Sequence, residues 1–186
     1  MAEKQSSEGS IYQIRVSLAG IEPPIWRRIQ VPGDVTLEEL HDVLQAVMGW
    51  WDYHLHQFMV EGTHYGVPHP DYAMEMRDES EVRLDEIADE GSRFFYEYDF
   101  GDCWQHELKV EQVLEPEPGR RYPVCIDGER ATPPEDVGGL WGYEHYVEVM
   151  TDPDHPEYEE RLEWRGEFDP EEFDLDEVNA ALRELQ

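Results

Sequence analysis

Tyr98-Asp99-Phe100-Gly101-Asp102-Cys103-Trp104-Gln105-His106 lies between two segments of strict alternation. Ahead of it, the run from Arg93 places Phe94, Tyr96, Tyr98 and Phe100 on one strand face. Behind it, Trp104, His106, Leu108 and Val110 share a face opposite Cys103, Gln105, Glu107, Lys109 and Glu111. A period of two on both sides of a Gly-Asp turn predicts a central β-hairpin. Two carboxylates, a thiol and an imidazole fall within that short interval.

Upstream, Ile11 to Leu18 alternates with Tyr12, Ile14, Val16 and Leu18 on one face. A turn over Gly20–Pro24 returns the chain as a second strand, Ile25 to Val31. Arg27 and Arg28 in it read as exposed or cross-strand-paired arginines, or as a phosphate-binding pair. Thr36 with Glu39 is a capping box ahead of Leu37, Leu40, Leu44, Val47 and Met48 at helical spacing, with Gly49 as the stop. Trp50 and Trp51 follow as packing residues or, if exposed, as part of a binding surface. Tyr53 to Val60 predicts a third strand with His54, His56, Phe58 and Val60 on one face. Two histidines at i and i+2 on a strand can reach one metal ion; the alternative is a pair hydrogen-bonded at the rim of the core.

From Gly62 to Arg83 the pattern is lost and predicts a long loop, with a short helix or turn over Val82–Ala88. Downstream of the hairpin, Tyr122 to Gly139 is dense in Gly, Pro and carboxylate and reads as another loop. Pro133-Pro134-Glu135-Asp136 with Gly138-Gly139 marks it as a candidate binding loop. Gly138-Gly139 could bring helix-terminal amides to an anion, and Glu135 and Asp136 complement the dipole of a following helix or hold a cation. Tyr143–Met150 predicts a helix. Thr151–Glu172 is an acidic stretch anchored by Trp164 and Phe168. A closing helix begins at Asp174 with Leu175, Val178, Leu182 and Leu185 as its stripe.

The predicted fold is α+β: a mixed or antiparallel sheet beginning β-β-α-β, β-grasp-like by analogy, then the hairpin and C-terminal helices. Residues 1–10 read as a disordered polar tail and 11–186 as a single domain. Acidity is the unusual bulk property. The chain carries 14 Lys and Arg against 45 Asp and Glu, a net charge of −31, and only two of its cations are lysines, Lys4 and Lys109. This is the composition of a protein working in concentrated salt, where screening shortens to about 3 Å, or of an ordinary acidic bacterial protein. Either way it argues against direct binding to a nucleic-acid backbone. Cys103 and Cys125 make no disulfide framework, the first ten residues lack an apolar signal core, and no run approaches the roughly 20 apolar residues of a membrane span. These features predict a cytoplasmic protein with no membrane association.

His54, His56, Asp99, Asp102 and His106 are the candidate metal or polar site, with Cys103 and Cys125 as further possible ligands. A mixed set of this kind suits zinc or another divalent ion. Paired carboxylates beside histidine also suit acid–base work. Against both, His106 alternates in phase with Trp104 and Leu108 and so faces the core.

Taken together, these segments resemble the plasmid pRiA4b ORF-3-like family, also described as insertion-element passenger proteins. The resemblance is carried by Ile25-Trp26-Arg27-Arg28 with Val31-Pro32, Leu40-His41 through Met48-Gly49-Trp50, and His54-Leu55-His56-Gln57-Phe58. It continues through Tyr98-Asp99-Phe100-Gly101-Asp102 with Trp104 and His106, Pro133-Pro134-Glu135-Asp136 with Gly138-Gly139, and Phe168-Asp169-Pro170. It implies a mobile-element setting and no particular reaction. Relatives carry further cysteines around Pro133-Pro134, where this chain has Thr132 and Val137, so a thiol metal site in that loop is not implied here.

Three functions follow as expectations. The first is a non-enzymatic module binding a protein or small ligand in a groove beside the hairpin and the Pro133–Gly139 loop, with Trp50, Trp51, Trp104, Trp141 and Tyr143 as its aromatic surface. The second is a metal-dependent, hydrolase-like enzyme using the His/Asp cluster. The third is a nucleic-acid accessory factor centred on Arg27, Arg28, Arg120 and Arg121.

Overall fold

In the computed structural model, which describes residues 9–70 and 75–186, the Tyr98–His106 stretch is the turn between β6 (Arg93–Tyr98) and β7 (Trp104–Leu114). Tyr98 pairs with Trp104 and Tyr96 with His106 across it. The hairpin lies inside an eight-stranded sheet of order β5-β4-β3-β6-β7-β1-β2-β8. Its other strands are β1 (Ile11–Leu18), β2 (Trp26–Pro32), β3 (His56–Val60), β4 (Thr63–Gly66), β5 (Arg77–Asp78) and β8 (Val124–Glu129). Every pairing is antiparallel except β4 with β5, so the sheet is mixed and the fold is α+β.

One face of the sheet is apolar and the other polar, as expected where helices cover one side. Tyr12, Ile14, Val16, Ile29, Phe58, Tyr96, Leu108 and Val110 are buried on the inner face. Over them lies α1 (Leu37–Met48), which starts at the Thr36/Glu39 capping box and stops at Gly49 in the left-handed conformation. Leu37, Leu40, Leu44 and Val47 are its buried stripe. On the outer face, Glu111 is the extra residue of a β-bulge, since Gln13 pairs with Gln112 and Ile14 with Val110. Its carboxylate accepts two bonds from Arg28, at 2.7 and 3.0 Å, so Arg28 is cross-strand-paired as expected.

Arg27 is a correction to the exposed-pair expectation. It opposes Val16 on the inner face and is 3% exposed. Its guanidinium donates to the carbonyls of Val47, Trp26, Glu129 and Arg130 and to Thr132 Oγ1. Burial pulls its pKa down to about 10, so it stays charged at neutral pH.

Three strands lie where loops were expected: β4 and β5 in the 62–83 interval, and β8 inside the 122–139 loop. The third strand is shorter than its pattern suggests and begins at His56, not Tyr53. The short helix expected after Val82 is α2 (Leu84–Ile87). At the C-terminal end stand α3 (Gly139–Thr151), α4 (Tyr158–Arg165) and α5 (Leu175–Arg183). Phe168 and Trp164 anchor the acidic segment on Tyr146, with ring centroids 5.1 and 5.9 Å away. Asp174 caps α5 by accepting from the amides of Asp176 and Glu177. The tail expectation for residues 1–10 falls mostly on residues 1–8, outside the described residues.

Candidate functional site

The hairpin turn meets two other segments: residues 50–56, which follow α1, and the Pro133–Gly139 loop ahead of α3. Trp50 fixes the first by stacking on Tyr98, with centroids 4.9 Å apart, and by donating from Nε1 to the Pro133 carbonyl at 3.0 Å. Glu135 fixes the second. Its buried carboxylate accepts from the Tyr98 hydroxyl at 2.5 Å and from the Trp51 amide at 3.2 Å. Asp102 closes the contact by accepting the Gly138 amide at 3.1 Å. Gly139 is held against the same turn, where a Cβ would meet the Asp102 carbonyl oxygen at 2.8 Å. The anion at the start of α3 is therefore the protein's own Asp102. Glu135 and Asp136 face the hairpin and the 50–56 segment, which corrects the helix-dipole reading.

Within this junction two His/carboxylate groups form. In the first, His54 Nε2 lies 2.9 Å from Asp136 Oδ1 and 3.6 Å from Asp99 Oδ2. Asp99 is positioned by the turn itself, since its Oδ1 accepts the amides of Gly101 and Asp102 and leaves Oδ2 toward His54. In the second, His56 Nε2 meets the carboxylate of buried Glu79 at 2.9 Å, and its ring stacks on His41 of α1. His41 Nε2 meets Asp52 Oδ1 at 2.9 Å, and Nδ1 meets the Tyr96 hydroxyl at 2.8 Å. The Asp52 carboxylate can only accept, which puts the proton of a neutral His41 ring on Nε2 and leaves Nδ1 to accept from the Tyr96 hydroxyl, which in turn accepts from Gln45 Nε2. Burial, and secondarily His56, pulls His41 down to a pKa of about 4, consistent with that neutral ring.

The expected single cluster is thus split. His54 and His56 belong to different groups because β3 begins only at His56 and Asp52 turns the chain in the left-handed region at φ 54°. Asp102 serves the α3 amide. His106 is fully buried, held down to a pKa of about 4 by desolvation, and edge-on to Trp50 at 5.4 Å. His41, Asp52, Glu79 and Asp136 complete the two groups. His41 shares the inward face of α1 with Leu37, Leu44 and Met48, a phase visible in the sequence. The pairing of Asp136 with His54 is long-range and left no local signal.

A cleft of about 320 Å³ opens between the two groups. Asp52, His54 and His56 are its charged or titratable polar residues; Leu55, Val67, Met76 and Phe100 are apolar, and Tyr53 adds an aromatic ring with a hydroxyl. The aromatic surface is smaller than expected. Trp50, Trp104 and Tyr143 are 7, 1 and 2% exposed because they pack in the core, whereas Trp51 and Trp141 stand out at 67 and 84%. A second depression of about 280 Å³ lies over Arg27 between α1 and α5. The first cleft is the better site, because Arg27 already spends its donors on buried carbonyls.

The family described as plasmid pRiA4b ORF-3-like protein matches residues 10–177. The chain belongs to that family. It is similar to an uncharacterized protein, y4hQ, of Sinorhizobium fredii, with 37% identity over 180 residues, 95% of this chain and 92% of that one. It is also similar to a crystal structure of a protein of unknown function, MM3350, from Methanosarcina mazei Go1. That match has a TM-score of 0.83 and 43% identity, covering 91% of this chain and 97% of the other. None of the described helices is long and apolar enough to cross a membrane.

Proposed function

We propose that this protein is a ligand-binding module whose site is the cleft beside the hairpin turn. The observation that carries the reading is the make-up of the cleft, an apolar wall with two imidazoles and a carboxylate beside it. Tyr53, Leu55, Val67 and Phe100 are 72, 48, 58 and 41% exposed there, so apolar surface is left open at one place where polar groups also converge. The volume suits a small organic ligand with an apolar face and a hydrogen-bonding end. A net charge of −31 favours a neutral or cationic one.

The nucleic-acid alternative has little support from geometry. Arg27 is buried, Arg28 is held by Glu111, and Arg120 is paired with Glu117 at 2.8 Å. The enzyme alternative depends on whether His54 and its carboxylates hold a metal. The family description supplies the reason to place the protein in a mobile-element setting.

Protein-observed NMR with neutral and cationic aromatic fragments tests the reading. Hits should perturb the amides of Tyr53, Leu55 and Phe100 and weaken in Leu55→Glu. Hits that gather elsewhere, or that survive Leu55→Glu unchanged in a folded protein, would remove it.

A further inference from the structure

We infer that His54, Asp99 and Asp136 form a binding site for one divalent first-row transition ion at the edge of the cleft. Three segments distant in sequence deliver one donor each: the residues before β3, the hairpin turn and the loop before α3. The His54 Nε2, Asp99 and Asp136 oxygens all lie within 4.8 Å of one another. Donors about 2.1 Å from a tetrahedral ion sit about 3.4 Å apart. The observed 2.9 and 3.6 Å bracket that spacing.

The nitrogen itself separates a metal site from a histidine–aspartate hydrogen bond. His54 Nε2 is shut off from solvent and makes no hydrogen bond, although Asp136 is close enough for one. The two groups lack hydrogen-bond alignment, so the nitrogen is left for another partner. In the neighbouring His41/Asp52/His56 group, both nitrogens of His41 are already engaged by Tyr96 and Asp52. That group is a hydrogen-bond relay, and the His54 group is the better ligand set.

Its surroundings fit a coordination site. Asp99 is oriented through Oδ1 by two turn amides, the outer-shell arrangement that fixes a metal-binding carboxylate. One imidazole and two carboxylates favour ions such as Zn2+ or Mn2+ over Mg2+ or Ca2+, which prefer all-oxygen sets. Three protein donors leave coordination positions for water or a bound molecule, and His54 also lines the cleft. The site does not depend on an organic ligand occupying the cleft.

The test is isothermal titration calorimetry of Zn2+ into the full, tag-free, metal-stripped chain, in about 0.5 M NaCl with excess Mg2+ to suppress diffuse binding to the acidic surface. Mn2+ and Co2+ are run in parallel. We expect near one equivalent of Zn2+, weakened at least roughly tenfold by His54→Ala and by Asp136→Asn. His145→Ala should leave it unchanged; His145 lies in a separate group with Glu148 and Glu157 and controls for adventitious capture. Bound Co2+ should show absorption bands that Asp136→Asn abolishes. If His54→Ala fails to fold, Asp136→Asn decides, because the Asp136 side chain is 58% exposed. Binding that survives Asp136→Asn, or that is lost only in His145→Ala, overturns the site. So does the absence of Zn2+ binding above the Mg2+ background. Fragment binding with metal removed is read separately, so failure of the metal site and failure of the cleft are distinguishable.

Discussion

The imidazole of His41 lies flat on that of His56, with ring centroids 3.4 Å apart and planes 6° from parallel. Two positive rings at that distance would repel strongly, so the stack carries at most one charge. Tyr96 and Asp52 engage the His41 side, and the buried Glu79 carboxylate faces His56. The stack ties α1 to β3 at the edge of the cleft, and it is one of two places where a neutral imidazole is held inside.

The other is His106, and together they set an acid dependence. Burial lowers both His41 and His106 from 6.5 to about 4. Below about pH 7 the unfolded chain therefore binds protons that the folded chain does not, and stability falls as pH drops from 6.5 toward 4. His106 alone should contribute a loss of about 2 kcal/mol between roughly pH 7.5 and 5. Urea unfolding at the two pH values should show this, and His106→Phe should flatten it. An unchanged slope in that variant would show that His106 is not held neutral.

Arg27 predicts a different failure. Its side chain donates to four backbone carbonyls, one of them in the last turn of α1, and Phe173 lies over its guanidinium at 4.5 Å. Arg27→Met keeps the apolar stem but leaves those buried acceptors unpaired, a loss of about 3–5 kcal/mol. Arg27→Lys keeps the charge but cannot fork to several carbonyls, and should recover only part of that loss. Denaturant midpoints for the two variants check the order. Equal stability of Arg27→Met and the natural protein would mean that the cage contributes nothing.

The hairpin, α1 and α5 were legible because each is specified locally, by alternation or by a capping residue ahead of an apolar stripe. Arg27 was misread, although its phase held the answer. Its charge suggests the surface, but its phase with Ile25, Ile29 and Val31 points inward, and the phase prevails because backbone carbonyls are there to receive it. β4, β5 and β8 were not legible, being short segments near the sheet edges that are stabilised by their neighbours more than by their own pattern. The expected grouping of His54 with His56 failed for a related reason. Extending β3 back to Tyr53 puts His54 beside His56, whereas the left-handed Asp52 turns the preceding segment toward Asp99. The return of the Pro133–Gly139 loop to the hairpin turn depends on Glu135 meeting Tyr98, two residues 37 apart in sequence.

Charge makes a prediction about salt. A net charge of −31 on 186 residues penalises the folded chain most when screening is weak. Raising KCl from about 0.1 to 1 M shortens the Debye length from about 10 to 3 Å. The melting temperature should rise by about 3–8 °C over that range, measured by scanning calorimetry. A flat or falling profile would mean that the acidic side chains are not under net repulsion, and would remove the case for a salt-adapted protein.

The last prediction concerns the joint between the loop and the hairpin. Glu135 accepts from the Tyr98 hydroxyl and the Trp51 amide, and the same hydroxyl accepts from the Tyr53 amide at 3.1 Å. One carboxylate therefore holds the loop, the turn and the segment that carries His54. Glu135→Ala leaves the buried Tyr98 hydroxyl without its acceptor, and should cost about 2–3 kcal/mol. Tyr98→Phe removes the same bond but leaves Glu135 on the Trp51 amide and should cost less. The double variant should cost less than the sum of the two, because each single change already breaks the shared bond. Gly139→Ala tests the same joint from the other side, through the steric contact with the Asp102 carbonyl and a φ of +68°. If the joint positions the cleft, Glu135→Ala and Gly139→Ala should both raise hydrogen exchange at Tyr53–Leu55 as well as in their own loop. Exchange that increases only within residues 133–139 would show that the loop merely rests on the hairpin and that the cleft is shaped without it.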